Sequence, residues 1–193
     1  MMTAGIIIQA RLTSKRFPNK VLCRFHGKAI IEWVIDECIK TGLPICVAIP
    51  STKPNQPLAN FLEVTYAHRP QVITVYKGAE EDCLTRYIVA NQWMKFDPII
   101  RICGDSPFVS TEDIALALDL YNKRKYLTMI NHVQVLGRDE LKYADLNDPF
   151  MGSREHVVRS LLHTVDYPED IERFYDELLI PNSTLNKRLT DVT

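Results

Sequence analysis

Residues 6–20 read IIIQARLTSKRFPNK. Ile6, Ile7 and Ile8 are consecutive, apolar and β-branched, and with Gly5 before them they read as a short strand buried on both faces. The chain then leaves the sheet through a polar loop carrying Arg11, Lys15, Arg16 and Lys20; Arg24 and Lys28 follow, and the first acid of the chain is Glu32. A positive loop at the end of a first strand can hold an anion such as a nucleotide phosphate, and a solvated loop that happens to be basic accounts for the same charges equally well. The loop has neither the Gly-x-x-x-x-Gly-Lys-Ser/Thr spacing nor Gly-x-Gly-x-x-Gly, so any phosphate would be held by side chains more than by a glycine nest.

Outward from this stretch, strands and helices alternate. The segment 28–42 is a helix with Ile30, Val34, Ile35, Cys38 and Ile39 near one face and a stop at Gly42. Residues 44–50 form a second buried strand, 51–57 a loop, 58–68 a helix and 71–78 a third strand. The segment 79–96 reads as a helix with its acids in the first turn, where the helix dipole favours them. Residues 97–105 give a fourth strand, and 110–125 a helix capped by Ser110 or Thr111. Two more strands follow in 126–131 and 133–137, then a short helix over 138–146; 153–165 is ambiguous, and 167–180 is a final helix with Pro168 near its first turn. This alternation predicts a mostly parallel α/β sheet covered on both faces, with ligands beyond the carboxyl ends of the strands. The exits of the first and fourth strands, Arg11–Lys20 and Gly104-Asp105, then open onto one rim.

The 193 residues predict a single domain. Apolar content of 46%, charged content of 24% and a net charge of −1 give no global field for nucleic acid. No apolar run is long enough to span a bilayer and no signal-peptide pattern opens the chain, so the expected location is cytoplasmic, with no membrane partner. The five cysteines form no Cys-x-x-Cys pair, and Cys46 and Cys103 lie inside apolar strand-like runs, which predicts buried free thiols and no structural zinc.

Two aspartates stand out. Gly104 permits a tight exit from the fourth strand and Pro107 restrains the backbone after it, presenting Asp105 at the sheet edge. Asp166 likewise follows a short apolar stretch and precedes a helix. Paired carboxylates with a triphosphate are a common way to hold Mg²⁺, and a turn or helix-cap role is the alternative for each.

QARLTSKRFPNKVL resembles the signature loop of the CMP-sugar synthetases: the Kdo and acylneuraminate cytidylyltransferases and the spore-coat SpsF-like proteins. Arg11, Ser14, Arg16, Pro18, Lys20 and Leu22 match it. YKGAEEDCLTRYIVA, IIRICGDSPFV, SREHVV and TVDYPEDIERF are similar to further stretches of the SpsF-like proteins, in the same order over nearly the whole chain. The resemblance implies a Rossmann-like nucleotide-diphospho-sugar transferase fold related to GT-A, with 1–125 as its nucleotide-binding part, 126–165 as a reduced acceptor and dimerisation lobe and 166–193 as a C-terminal helix. It implies transfer of CMP from CTP to an acidic or phosphorylated sugar or small acid, with release of pyrophosphate, for a surface glycan. Arg11 and Lys20 would grip the CTP phosphates with help from Ser14 and Arg16. Arg86 and Arg101 would make nucleotide contacts, with ion pairs to Glu80–Asp82 or Asp105 as the alternative. Arg154 and His156 would face the acceptor, and Asp105 and Asp166 would bind Mg²⁺; Arg11, Lys20 and Asp105 form the expected catalytic set.

The match has gaps. Asn19 stands where the family usually has Gly, and Asn is the next most tolerant residue at positive φ. Lys15 replaces a small polar residue. The sugar-side lobe, which in relatives also builds a homodimer interface, reads as trimmed, with His132 and Gln134 roughly where acids are usual. A different base or acceptor, or a nucleotide-binding remnant without transferase activity, therefore stays open. Trp33 and Trp93 are expected in the core or an interface, and His132 and His163 as structural residues.

Overall fold

The computed structural model describes residues 3–69, 73–80, 82–125, 128–141, 155–157, 167 and 169–170. Strand β1 (Gly5–Gln9) is followed by a 3-10 turn (Lys20–Leu22), the two-residue strands β2 (Arg24–Phe25) and β3 (Lys28–Ala29), and helix α1 (Ile30–Ile39). Then come β4 (Ile45–Pro50), α2 (Gln56–Thr65), β5 (Ile73–Gly78), α3 (Cys83–Met94), β6 (Ile99–Cys103) and α4 (Thr111–Arg124). Strands β7 (Thr128–Ile130) and β8 (Val133–Leu136), helix α5 (Arg138–Leu141) and β9 (Glu155–Val157) complete the described elements. Outside the β2–β3 hairpin the strands form one sheet in the order β5-β4-β1-β6-β8-β7-β9, in which only β8 runs against the others.

Strand β1 lies at the centre, and its side chains alternate between two packed layers. Ile6 and Ile8 join the cores of α1, α2 and α4 through residues such as Ile31, Val34, Leu58 and Ile114. Ile7 joins Tyr87 and Ala90 of α3, with Cys46 and Ala48, on the other face. Burial on both faces is why β1 reads as an unbroken apolar run. From β1 the chain winds outward to β5, then returns to the opposite side of β1 as β6. The sheet order therefore reverses between β1 and β6, the position at whose strand ends open α/β sheets take their ligands.

Helix α4 starts where expected: Ser110 Oγ accepts from Asp113 N at 3.1 Å, and Glu37 Oε1 accepts from Thr111 N at 3.0 Å. Three expectations are corrected. Helix α2 begins at Gln56 with Pro57 in its first turn, and a 3-10 turn (Lys53–Asn55) replaces part of the expected loop. Helix α3 begins at Cys83 with no acid in its first turn; Asp82 is its N-cap, accepting from Thr85 N at 2.9 Å, and Glu80 is spent elsewhere. All five cysteines keep their thiols outside any disulfide; Cys38 and Cys46 are buried as expected, whereas Cys103 is only partly so. Trp33 packs in the core, whereas Trp93 is 76% exposed. The expected C-terminal helix, His163 and most of the reduced lobe lie outside the described residues. No helix among the described residues is long and apolar enough to cross a membrane.

Candidate active site

The basic loop is pinned at both ends. Leu12 and Val21 insert into the core on either side of it, and Asn19 N donates to Leu12 O at 2.9 Å, closing the loop on itself. Asn19 adopts φ 60, the left-handed conformation for which Asn is the best substitute for Gly. Ser14 Oγ accepts from Phe17 N at 3.4 Å, bending the segment between. Arg11, Lys15 and Arg16 remain exposed on the rim, while Lys20 is buried.

Lys20 reaches across the switch point to β6. Its Nζ lies 2.5 Å from Asp105 Oδ2, with the two side chains 8% and 21% exposed. So buried an ammonium needs a charged partner, and Asp105 supplies one that still faces the rim. Gly104 makes the approach possible. Its N donates to Gln9 O at 2.7 Å, and a Cβ there would stand 2.9 Å from Ala10 Cβ and 3.0 Å from Gln9 O. The expected convergence of the first and fourth strand exits is thus realised as a direct ion pair.

On the β4 and β5 side of β1, Glu80 gathers the neighbouring loops. Its Oε1 accepts from Thr13 Oγ1; its Oε2 accepts from Thr52 Oγ1 and, at 2.8 Å, from Asn55 Nδ2. Burial works to raise its pKa, but those threonine hydrogen bonds and the guanidinium groups of Arg11 and Arg86 outweigh it and hold the carboxyl below its usual range. Asn55 in turn accepts from Leu12 N at 2.8 Å.

Beneath the rim, on the α3 face, lies a polar floor. Arg86 is buried and donates to the carbonyls of Ala79 and Glu80 at 2.6 and 2.8 Å and to Gln9 Oε1 at 3.2 Å. Cys83 also donates to Gln9 Oε1. Arg101 donates to Gln134 Oε1 and stacks 5.6 Å from the Tyr87 ring centroid. Burial raises the thiols of Cys83 and Cys103 above their ordinary value, despite the nearby arginines. Arg86 thus bonds to two backbone carbonyls and an amide oxygen, and Arg101 contacts an amide oxygen, the Cys103 sulfur and an aromatic ring.

The structure therefore brings Arg11, Ser14, Arg16, Lys20 and Asp105 to one rim, with Arg86 and Arg101 in the floor behind it. His156 is placed only by register, beside Met129, which pairs with Gln134 and through it with Arg101. Arg154 and Asp166 lie outside the described residues. Tyr167, next after Asp166, carries its ring 5.3 Å below the Arg16 guanidinium, and its N donates to Asp170 Oδ2 at 2.9 Å. Among the described residues no group of three or more His, Cys, Asp or Glu is arranged to hold a metal. Asp105 is a hard oxygen donor of the kind Mg²⁺ takes when substrate phosphates complete its shell. The sequence reading missed Gln9, Thr13, Asn55 and the loop-facing use of Glu80. The only local signal was an acid two residues after the strand ending at Gly78.

Comparison with known proteins gives a consistent picture. A family model described as cytidylyltransferase matches residues 5–178. An uncharacterized protein of Methanocaldococcus jannaschii is 30% identical over 158 residues, covering 78% of this chain and 63% of that protein. The 3-deoxy-manno-octulosonate cytidylyltransferase of Pseudoalteromonas atlantica is 24% identical over 184 residues, 93% of this chain and 68% of the relative. The chain thus spans about two thirds of the length of these two relatives. Among solved structures, a cytidylyltransferase from Leptospira borgpetersenii superposes with a TM-score of 0.73 at 18% identity, over 93% of this chain and 87% of that one. That likeness establishes the Rossmann-like nucleotidyltransferase fold.

Proposed function

The chain belongs to the cytidylyltransferase family, and from that premise we propose that it transfers CMP from CTP to an acidic or phosphorylated sugar or small acid. The Lys20–Asp105 pair at the switch point carries this reading: a buried ammonium and a rim carboxylate 2.5 Å apart, beside a loop of exposed cations. An acceptor oxygen attacks the α-phosphorus, the bond to the bridging oxygen breaks, and pyrophosphate leaves with the electron pair. Arg11 and Lys20 hold the triphosphate and offset the negative charge that grows on the leaving group, with Arg16 and Ser14 shaping the same loop. Fixed charges aimed at that group lower the barrier without reorganisation during the reaction.

Asp105 fits one position of a Mg²⁺ site, with Asp166 as the second carboxylate carried over from the resemblance. Bound there, Mg²⁺ would add Lewis-acid charge at the phosphates. Arg154 and His156 are proposed on the acceptor side, and Arg86 and Arg101 behind the nucleotide. A homodimer and a place in surface-glycan synthesis follow from the resemblance and belong to the same proposal.

The test is pyrophosphate release from CTP, ATP, GTP and UTP against a panel of sugar acids and sugar phosphates, for wild type and Asp105→Ala. CTP-specific turnover that Asp105→Ala abolishes supports the reading. Turnover that ignores Asp105, or none with any acceptor, overturns it.

A further inference from the structure

Three hydrogen-bond donors from two different loops converge on Glu80. Thr13 belongs to the basic loop after β1, Thr52 and Asn55 to the turn after β4, and Glu80 itself follows β5. Both carboxylate oxygens accept; Gln in its place keeps one acceptor for Thr52 and Asn55 but turns its NH2 toward Thr13 Oγ1, which must then accept instead of donate, and the charge assistance of all three bonds is lost. Asn55 is 1% exposed and passes the connection on: its Nδ2 contacts Glu80 and, at 2.8 Å, Thr52 Oγ1, while its Oδ1 fixes Leu12 N at the root of the basic loop. The anchor is itself anchored, since Arg86 grips the carbonyls of Ala79 and Glu80, and Ser51 N donates to Gly78 O at 2.7 Å.

An acid at the base of an anion-binding loop looks misplaced if its task is to meet the anion. Its contacts give it another. We infer that Glu80 is a positioning residue that holds the basic loop in its working shape by tying the exits of β1, β4 and β5 to one carboxylate. It acts through Thr13 and Asn55 rather than by touching the reacting atoms. The inference rests on the proposed CTP reaction only for its effect on phosphate binding; the tie itself is independent of it.

The experiment therefore has two parts. In the first, the protein without ligand is digested briefly with trypsin, which can cut at the exposed Lys15 and Arg16. Glu80→Gln and Thr13→Val should each speed cleavage there about tenfold, the population change expected when a charge-assisted hydrogen bond is lost. Cleavage at the exposed Lys40 and Lys125 should not change, and Thr13→Ser, which keeps the hydroxyl, should behave as wild type. Unchanged cleavage at Lys15 and Arg16 in both variants overturns the inference, as does equal acceleration at every site, which marks global loosening.

In the second part, calorimetry measures binding of inorganic tripolyphosphate and of CTP, each with Mg²⁺. Both affinities should fall about tenfold together in Glu80→Gln and Thr13→Val. If only CTP binding weakens while tripolyphosphate binding holds, Glu80 contacts the nucleoside directly and the positioning role is overturned. If wild type binds neither anion, the proposed function fails, and the cleavage pattern still decides the tie.

Discussion

Lys20 Nζ and Asp105 Oδ2 meet at 2.5 Å across the point where the strand order reverses, one from the exit of β1 and the other from the exit of β6. The pair neutralises a buried ammonium and fixes the rim carboxylate before any ligand arrives. Removing either partner strands the other's charge, so each single change costs more than the pair is worth. Lys20→Met and Asp105→Asn should each lower stability by about 2 kcal/mol, and the double variant should lose less than the sum by about 1–2 kcal/mol. Urea unfolding of the four proteins measures this, and strict additivity would show that the two groups are not coupled.

The same carboxylate should govern catalysis more strongly than stability. Under the proposed transfer, Asp105→Asn exchanges an anionic oxygen ligand for a neutral amide and removes the charged partner of Lys20. Pyrophosphate release should fall at least about a hundredfold, roughly 3 kcal/mol in the barrier. Chelating divalent cations should bring wild type to the same residual rate and leave the variant unchanged. A variant still sensitive to chelation would place the cation away from Asp105.

Gly104 offers a steric test of the close approach between the exits of β1 and β6. An added Cβ meets Ala10 Cβ at 2.9 Å and backbone oxygen Gln9 O at 3.0 Å, and strand backbone cannot move aside as a flexible side chain can. Gly104→Ala should cost about 1–3 kcal/mol and shift Asp105 away from Lys20. A melting temperature within error of wild type would mean that β1 and β6 separate more easily than their 2.7 Å bond implies.

The fold was legible where periodicity and burial agree. Ile6–Ile8 announced a central strand because both of its faces are covered, and Ser110 announced α4 because capping is local. The two ends of the Lys20–Asp105 pair were legible as a shared rim, since strand exits of a parallel sheet share an edge. Glu80 was not. Its partners Thr13 and Thr52 lie 67 and 28 residues away, and beside α3 an acid reads most simply as a first-turn residue. The same holds for Asn55, whose bond to Leu12 N spans 43 positions. Such bonds are created by the meeting of loops and leave no period in the sequence.

Glu80 also predicts an acid response. Its folded-state pKa lies below the ordinary value of 4.5, so it contributes stability above that pH, and the contribution is lost as pH falls through the folded value. Wild type should therefore lose urea resistance more steeply than Glu80→Gln as pH drops from about 5 to about 3. Parallel curves would mean that the carboxylate gains nothing from its three donors.

Tyr167 links the basic loop to the segment that follows Asp166. Its ring lies 5.3 Å from the Arg16 guanidinium, and its N is held by Asp170 Oδ2, so the loop and that segment share one contact. A half-exposed cation–π contact is worth about 0.5–1 kcal/mol. Tyr167→Ala should therefore weaken CTP binding in the presence of Mg²⁺ by about two- to fivefold. Tyr167→Phe keeps the ring face and should bind as wild type does. The comparison separates the ring from the hydroxyl: equal loss in both variants would assign the effect to the hydroxyl, and no loss in Tyr167→Ala would leave Arg16 positioned by the loop alone.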